Sequence, residues 1–279
     1  MTALISVIVA TYNRPDALDA VLRSLSRQSD QDFEVIVADD GSMSDTAAVV
    51  DTWKDRLLRR VAHVWHPDDG FRLAEIRNRA IRAANGDYCI FLDGDCLARP
   101  HFVGTHRALA EPGWFVTGNR LLLSKALSER ILKESLQPEQ WTLADWWDLR
   151  QAGEIKRLAP LLSLSLGPLR RLRTRDWRGA QGCNLGIWRA DLLAVDGFEG
   201  AFASWGREDS DILIRLMHAG LRRKDGRMAT GVLHLWHTEA DRSGLQENER
   251  LLGEIIASDR VRAVKGLSAL CDEPAVAVS

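Results

Sequence analysis

The sequence predicts an α/β protein built on a Rossmann-like, mostly parallel central sheet flanked by helices, with a helical insert. Three observations point there. Apolar, β-branched runs too short for helices alternate with segments whose apolar residues recur at helical spacing. The first run, Leu4 to Ala10, is apolar enough for a strand covered on both faces. Two later runs end in acidic turns, Asp39-Asp40-Gly41-Ser42 and Asp93-Gly94-Asp95, at the carboxyl ends of strands, where open α/β sheets collect ligands.

In order along the chain, Leu4 to Ala10 is the first strand, broken by Thr11-Tyr12-Asn13-Arg14-Pro15. Pro15 suits a first helical turn, and Leu18, Val21, Leu22 and Leu25 carry a helix to about Ser29. Phe33 to Ala38 is the second strand. Ser44 or Asp45 is expected to cap the next helix, which carries Val49, Val50, Trp53 and Leu57. Val61 to Trp65 is the third strand, followed by the loop His66 to Arg72 and a helix from Leu73 to Ala84 that Asn85-Gly86 stops. Tyr88 to Leu92 is the fourth, delivering Asp93-Gly94-Asp95 to the sheet edge. This alternation is the pattern of a nucleotide-binding half.

Beyond Pro100, Trp114 to Gly118 is a further strand. Lys125 to Trp177 mixes Trp141, Trp146 and Trp147 with Lys156, Arg157, Arg170, Arg171, Arg173 and Arg175, and predicts a helical insert with basic and apolar faces. Two roles fit it: a cover packed on the sheet, or, over residues 141–175, a peripheral contact with anionic membrane or an anionic glycolipid. Strand character returns at Gly182 to Trp188. Trp205-Gly206-Arg207-Glu208-Asp209-Ser210-Asp211 then opens a helix that ends at Gly220. Val232 to His237 is the last strand, Thr238 to Gly266 reads as one helix, and Asp272 to Ser279 as a frayed tail. The implied organisation is 1–120 as a nucleotide-binding half, 121–177 as the insert, 178–240 as a second half, and 241–279 as a C-terminal helix and tail.

With 279 residues, 46% of them hydrophobic, the chain can bury a large core. A formal charge of -2 gives no global reason to expect a nucleic-acid partner. No run approaches the roughly 20 apolar residues of a membrane span, and the N-terminus reads as a strand instead of a signal peptide. The four cysteines, at 89, 96, 183 and 271, lack paired metal spacing and read as buried thiols of a reducing compartment. A cytoplasmic protein, at most peripheral at the inner face of the cytoplasmic membrane, is expected.

Two carboxylates one glycine apart at a strand end suit a hard divalent cation shared with substrate phosphates, although Asp-Gly pairs also mark ordinary turns. Asp95 is the first choice of ligand. His237, with His234 three residues before it, offers imidazole nitrogen to the same ion and favours Mn²⁺ over Mg²⁺; a strand histidine is otherwise a satisfied, partly buried residue. Tyr12 offers a flat contact for a base. Arg14, Arg72 and Arg77 can reach ribose or diphosphate oxygens, or serve as surface charges. Glu208, Asp209 and Asp211 stand at a helix start, where carboxylates commonly complement the dipole, but Trp205-Gly206 before them suits stacking on a sugar ring.

Val7 to Arg14, Asp39 to Ser42 and Asp93 to Asp95 together resemble the nucleotide-sugar half of the family 2 glycosyltransferases of GT-A fold. Gly182-Cys183-Asn184-Leu185-Gly186 and Trp205 to Asp211 resemble the C-terminal half of galactosyltransferase-like members. The resemblance implies a metal-dependent, inverting transfer from a UDP-sugar to a glycan or glycolipid acceptor in bacterial surface polysaccharide synthesis, with Mn²⁺ or Mg²⁺ as cofactor. It implies that Asp95 binds the metal, that Asp93 contacts the ribose or the metal indirectly, and that Asp40 accepts the uracil N–H. Ala10, Gly94 and Asn184 complete the implied donor site, with residues 1–120 as the nucleotide-sugar half and 178–240 as the acceptor-binding and catalytic half. Asp209 becomes the base, Glu208 its nearest competitor and Asp211 a structural residue; Arg207 and Ser210 depart from the family's common acid run. Competing readings are a nucleotidyltransferase acting on sugar phosphates, which lacks its usual Gly-rich loop here, and a non-catalytic, metal-dependent sugar-binding module. A glycoside hydrolase would leave Asp40 and Tyr12 idle.

Overall fold

The computed structural model describes residues 3–238, 241–270 and 276–277. The first half alternates as the sequence predicts: β1 (Ile5–Thr11), α1 (Pro15–Ser26), β2 (Phe33–Asp39), α2 (Ser44–Arg56), β3 (Val61–Trp65), α3 (Leu73–Ala83) and β4 (Tyr88–Asp93). All seven residues of β1 and of β2 are buried. β1 pairs in parallel with β2 on one side and β4 on the other, opposing Thr11 to Asp39 and Ala10 to Asp93. These strand ends are therefore level, and the polar turns that follow emerge along one edge.

Next come β5 (Cys96–Leu97), α4 (Phe102–Leu109), β6 (Trp114–Thr117), β7 (Arg120–Leu122), α5 (Lys125–Lys133), α6 (Leu143–Gln151), β8 (Asn184–Trp188), α7 (Arg189–Ala194), α8 (Glu208–His218), β9 (Arg222–Asp225), β10 (Val232–His234), α9 (Leu245–Ile256) and β11 (Val276–Ala277). The main sheet has the order β11-β3-β2-β1-β4-β8-β6-β9. β3, β2, β1 and β4 are parallel, as are β6 and β9; β8 runs antiparallel between β4 and β6, and β11 antiparallel to β3. A second sheet, β5-β10-β7, stands at the Asp93-Gly94-Asp95 turn.

The period-2 alternation of strands divides the core. Val7 and Val9 pack with Leu18, Val21, Leu22 and Leu25 of α1, while Ile8 faces Ile76, Ala80 and Ile81 of α3 with Ile212, Leu213 and Leu216 of α8. Each helix buries the stripe its spacing foretold. Cys89, Cys96 and Cys183 are free and buried; Cys271 lies outside the described residues.

Several expectations require correction. α1 stops at Ser26, and α2 is preceded by Met43, whose side chain cannot cap; Ser44 and Asp45 lie inside the helix. The insert is α-helical only in α5 and α6. From 152 to 183 it consists of turns and short 3₁₀ segments, consistent with Gly153, Pro160, Gly167 and Pro168 interrupting any longer helix. Arg170 does not present its charge: it is buried and donates to the carbonyls of Asp225 and Arg227. Among the described residues from Thr238 to Gly266, only Leu245–Ile256 is helix. Within the supposed frayed tail, Val276–Ala277 pairs with β3; residues 271–275 and 278–279 lie outside the described residues. β10 ends at His234: Leu235 N–H still donates to the Asp95 carbonyl at 2.9 Å in the β5 register, but Trp236 N–H turns to Ser128 Oγ at 2.8 Å.

Candidate active site

The Asp93-Gly94-Asp95 turn folds tightly back on β1, with Gly94 N–H donating to the Ala10 carbonyl at 2.6 Å. A Cβ on Gly94 would meet that oxygen at 2.9 Å and Thr11 Cβ at 3.0 Å, so a side chain there would push the turn away. The consequence is that Asp95 is fixed beside β10. His234 Nε2 stands 3.6 Å from Asp95 Oδ1 and His237 Nε2 3.4 Å from Asp95 Oδ2.

These three side chains offer ligand atoms that all lie within 4.8 Å of one another. His237 Nδ1 stands 2.7 Å from the Thr238 carbonyl. Donating there fixes the tautomer and turns the Nε2 lone pair toward Asp95, the outer-shell arrangement that orients histidine ligands. Burial lowers the pKa of His234, which favours the neutral, coordinating imidazole. The donor set therefore fits a divalent cation with mixed oxygen and nitrogen ligands, with His237 half-exposed toward solvent.

Arg77 is neither a surface charge nor an open phosphate ligand. It is 2% exposed, donating from Nη2 to Asp93 at 3.1 Å and from Nη1 to Glu208 at 3.4 Å. Asp93 is pushed up by burial and by Asp95, with Arg77 opposing. Glu208, buried and beside Asp209, is pushed up to about 7 despite Arg77. Among the described residues nothing hydrogen-bonds Glu208 Oε2 or Arg77 Nε. Buried polar atoms are nearly always paired, so these two call for a partner that the described side chains do not supply.

Asp209 is partly exposed. Its Oδ2 accepts the Gly182 N–H at 2.9 Å and its Oδ1 that of Ser210 at 2.6 Å. A Cβ on Gly182 would lie 3.2 Å from Arg77 and 3.3 Å from Asp209, which places these groups around one backbone position. Asp211, by contrast, is fully buried with Arg215 at 2.7 Å and serves packing. The approach to α8 is strained: Gly206 has φ 100° and Arg207, which is not glycine, φ 81°. Asn248 of α9 holds it there, its amide donating to the carbonyls of Ser204, Trp205 and Gly206 at 3.0, 3.3 and 2.7 Å. Trp205 is 40% exposed, with the Arg242 guanidinium 5.1 Å from its ring centre.

On the other flank, Tyr12 is 49% exposed and donates to Asp68 at 2.9 Å. Asp40 accepts from His66 Nε2 at 2.7 Å and from Arg72 N–H at 3.0 Å, so both oxygens are already oriented. The Arg72 side chain donates to the Pro67 carbonyl and lines a cavity of about 270 Å³ with Phe71, Glu75 and Phe202. Arg14 pairs with Asp16 at 3.1 Å.

Asn184 departs from expectation. It is fully buried, its amide donating to the carbonyls of Asn119 and Thr230 while its oxygen meets His106 Nε2, so it joins β8 to its neighbours and lines no open surface. Sequence reasoning missed His66, Asn248 and Arg120. Only His66 carried a signal, a histidine directly after a strand in the loop that ends at Arg72.

Residues 6–153 match the family model described as glycosyl transferase family 2, and residues 172–238 that described as the N-terminal domain of galactosyltransferase. Validoxylamine A glucosyltransferase of Streptomyces hygroscopicus subsp. jinggangensis (strain 5008) is 32% identical over 242 residues, covering 82% of this chain and 55% of the relative. The chain thus spans about half the length of that relative. Among solved structures, S. aureus TarS 1-349 in complex with UDP-GlcNAc superposes with a TM-score of 0.60 at 16% identity, covering 91% of this chain and 66% of that one. Mannosyltransferase PcManGT from Pyrobaculum calidifontis, in complex with GDP-Man and Mn2+, superposes with a TM-score of 0.56 at 18% identity, covering 86% and 59%. These two likenesses bear on the fold, and the GT-A architecture expected from the sequence is the one found.

Proposed function

The chain belongs to glycosyltransferase family 2, and from that premise we propose that it transfers a hexosyl group from a UDP-sugar to a hydroxyl of a glycan or glycolipid, with inversion at the sugar carbon. The observation that carries this reading is the bridge from Asp93 through Arg77 to Glu208, which sets the acidic start of α8 against the Asp93-Gly94-Asp95 turn.

Tyr12 supplies an exposed flat face for the uracil, and Asp40, aligned by His66, accepts its N–H. Asp93 and Arg14 serve the ribose and phosphates. Asp95, His234 and His237 would hold Mn²⁺ or Mg²⁺, which supplies positive charge against the departing diphosphate. Asp209 removes the acceptor's proton as the new bond forms: its carboxylate is partly exposed and oriented by two backbone N–H groups. Glu208 next to it is buried against Arg77. Trp205, exposed and held at the rim, receives the acceptor sugar by stacking.

Residues 1–120 thus serve the donor and 178–240 the acceptor. Among the described residues no helix is long and apolar enough to cross a membrane. A peripheral contact is supported by Leu169 and Leu172, 58% and 76% exposed beside exposed Arg171, Arg173 and Arg175. A groove of about 730 Å³ lined by Leu109, Leu164, Leu166 and Arg171 lies against the same segment and suits a glycolipid acceptor of surface polysaccharide synthesis.

The test is slow hydrolysis of a panel of nucleotide sugars with Mn²⁺ present. One UDP-sugar is expected to be consumed well above the others, and consumption is expected to stop in Asp95→Ala. Equal indifference to every member of the panel overturns the reading.

A further inference from the structure

We propose that Cys96, Cys183 and Asp93 form a second metal site, separate from Asp95, His234 and His237, that takes a thiophilic divalent cation such as Zn²⁺. Cys96 follows Asp95 directly on β5, Cys183 immediately precedes β8, and Asp93 ends β4. The fold thus brings three strands to one point, where the two sulfurs and a carboxylate oxygen lie within 4.8 Å of one another. Closing that spacing by about 1 Å gives the edge of a tetrahedral thiolate site.

Packing alone does not account for this pair. Both thiols are buried, at 0% and 1% exposure, yet their neighbours are charged. The Arg120 guanidinium donates to Cys183 Sγ at 3.7 Å, and the Cys96 thiol donates to Asp95 Oδ1 at 3.7 Å. Cys96 and Cys183 belong to the apolar core layer on the α1 side as Cys89 belongs to the other, so it is the charged contacts of the pair, and their convergence with Asp93, that set them apart.

Two thiolates and Asp93 present three negative charges, which a divalent cation and the Arg120 and Arg77 guanidiniums offset. Each Cys–S bond to the metal forms as the thiol proton leaves to solvent, so the charge balances without any redox step. Sulfur ligands select Zn²⁺ over Mg²⁺ and Mn²⁺, whereas the Asp-His-His cluster does not. The two sites share one turn. Occupancy at the thiols recruits Asp93 and fixes the residue next to Asp95, so a thiophilic ion acts as an inhibitor of whatever Asp95 supports. The site itself rests on geometry alone and stands whether or not the donor is a UDP-sugar.

Co²⁺ is the probe, added to the full chain kept reduced by a phosphine. A thiolate-to-cobalt charge-transfer band in the near ultraviolet is expected, since oxygen and imidazole ligands give only weak visible bands. It is expected to persist in His237→Ala and Cys271→Ser and to vanish in Cys96→Ser and Cys183→Ser, with far-ultraviolet circular dichroism checking that each variant is folded. In the unmutated protein, one equivalent of Zn²⁺ is expected to abolish the band and a large excess of Mg²⁺ to leave it unchanged. Absence of the band, its loss in Cys271→Ser, its survival in Cys183→Ser, or its displacement by Mg²⁺ overturns the proposal.

Discussion

Asp93, at the end of β4, and Glu208, at the first position of α8, share the guanidinium of Arg77. One cation thereby joins the Asp93-Gly94-Asp95 turn to the acidic helix start contributed by the other half of the chain. Arg77 and Glu208 are both nearly inaccessible, so removing either leaves the other's charge without its partner in a poorly solvated place. Arg77→Met is expected to destabilise the protein by about 3 kcal/mol. The double variant Arg77→Met/Glu208→Gln recovers part of that loss in a denaturant titration, and strict additivity of the two single effects would contradict the coupling.

The raised pKa of Glu208 has a signed consequence. The folded state holds this proton more tightly than the unfolded chain, so stability conferred by the neutral carboxyl is present at low pH. It is lost as pH climbs from the ordinary carboxylate range to about 7. Glu208→Gln removes this slope. Melting curves between pH 4.5 and 7.5 are expected to show the wild type losing stability relative to the variant as pH rises; parallel curves refute the assignment.

Asp209→Asn is expected to lower turnover by about 10²- to 10⁴-fold while UDP binding persists, the signature of a lost base. Steady-state kinetics paired with calorimetry read the two separately. Unchanged turnover transfers the role to another residue.

Removing metal and removing a ligand are expected to agree. EDTA treatment and His237→Ala each weaken calorimetric UDP affinity by on the order of tenfold or more. Affinity indifferent to both rejects the Asp95, His234 and His237 assignment.

Asn184→Ala tests the corrected role of that residue. Deleting an amide with three buried partners is expected to cost about 2 kcal/mol or more, because the Asn119 and Thr230 carbonyls lose their donor. The KM for the donor is expected to hold; a raised KM at unchanged stability would return Asn184 to the cleft.

The sequence displays β1 to β4 and their helices because each strand is apolar along its length and each helix keeps its 3.6-residue stripe. Local pattern and tertiary role agree there. The acidic turns could be read as well, since Asp93-Gly94-Asp95 directly follows the apolar run of β4, although its hold on Ala10 of β1 is made at a distance. What escaped were relationships made at a distance. Arg77 occupies a position on α3 that looks like any helix-face arginine, and its burial depends on α8 arriving above it. Asn184 sits in a motif suggestive of a ligand, but its partners come from α4 and from the segments around 119 and 230. The insert misled through composition: tryptophan and arginine do not distinguish a helix from a run of turns, and proline and glycine settled the matter.

The clamp of Asn248 on the carbonyls before α8 couples a distant helix to the rim of the cleft. Trp205 takes its place from that grip, while the carboxylates that follow are anchored independently by Gly182 and Arg77. On the proposed roles, selectivity and chemistry are wired through different parts of the chain. Drift along α9 would then re-aim the rim and exchange one acceptor for another in the course of evolution, leaving the reaction itself untouched.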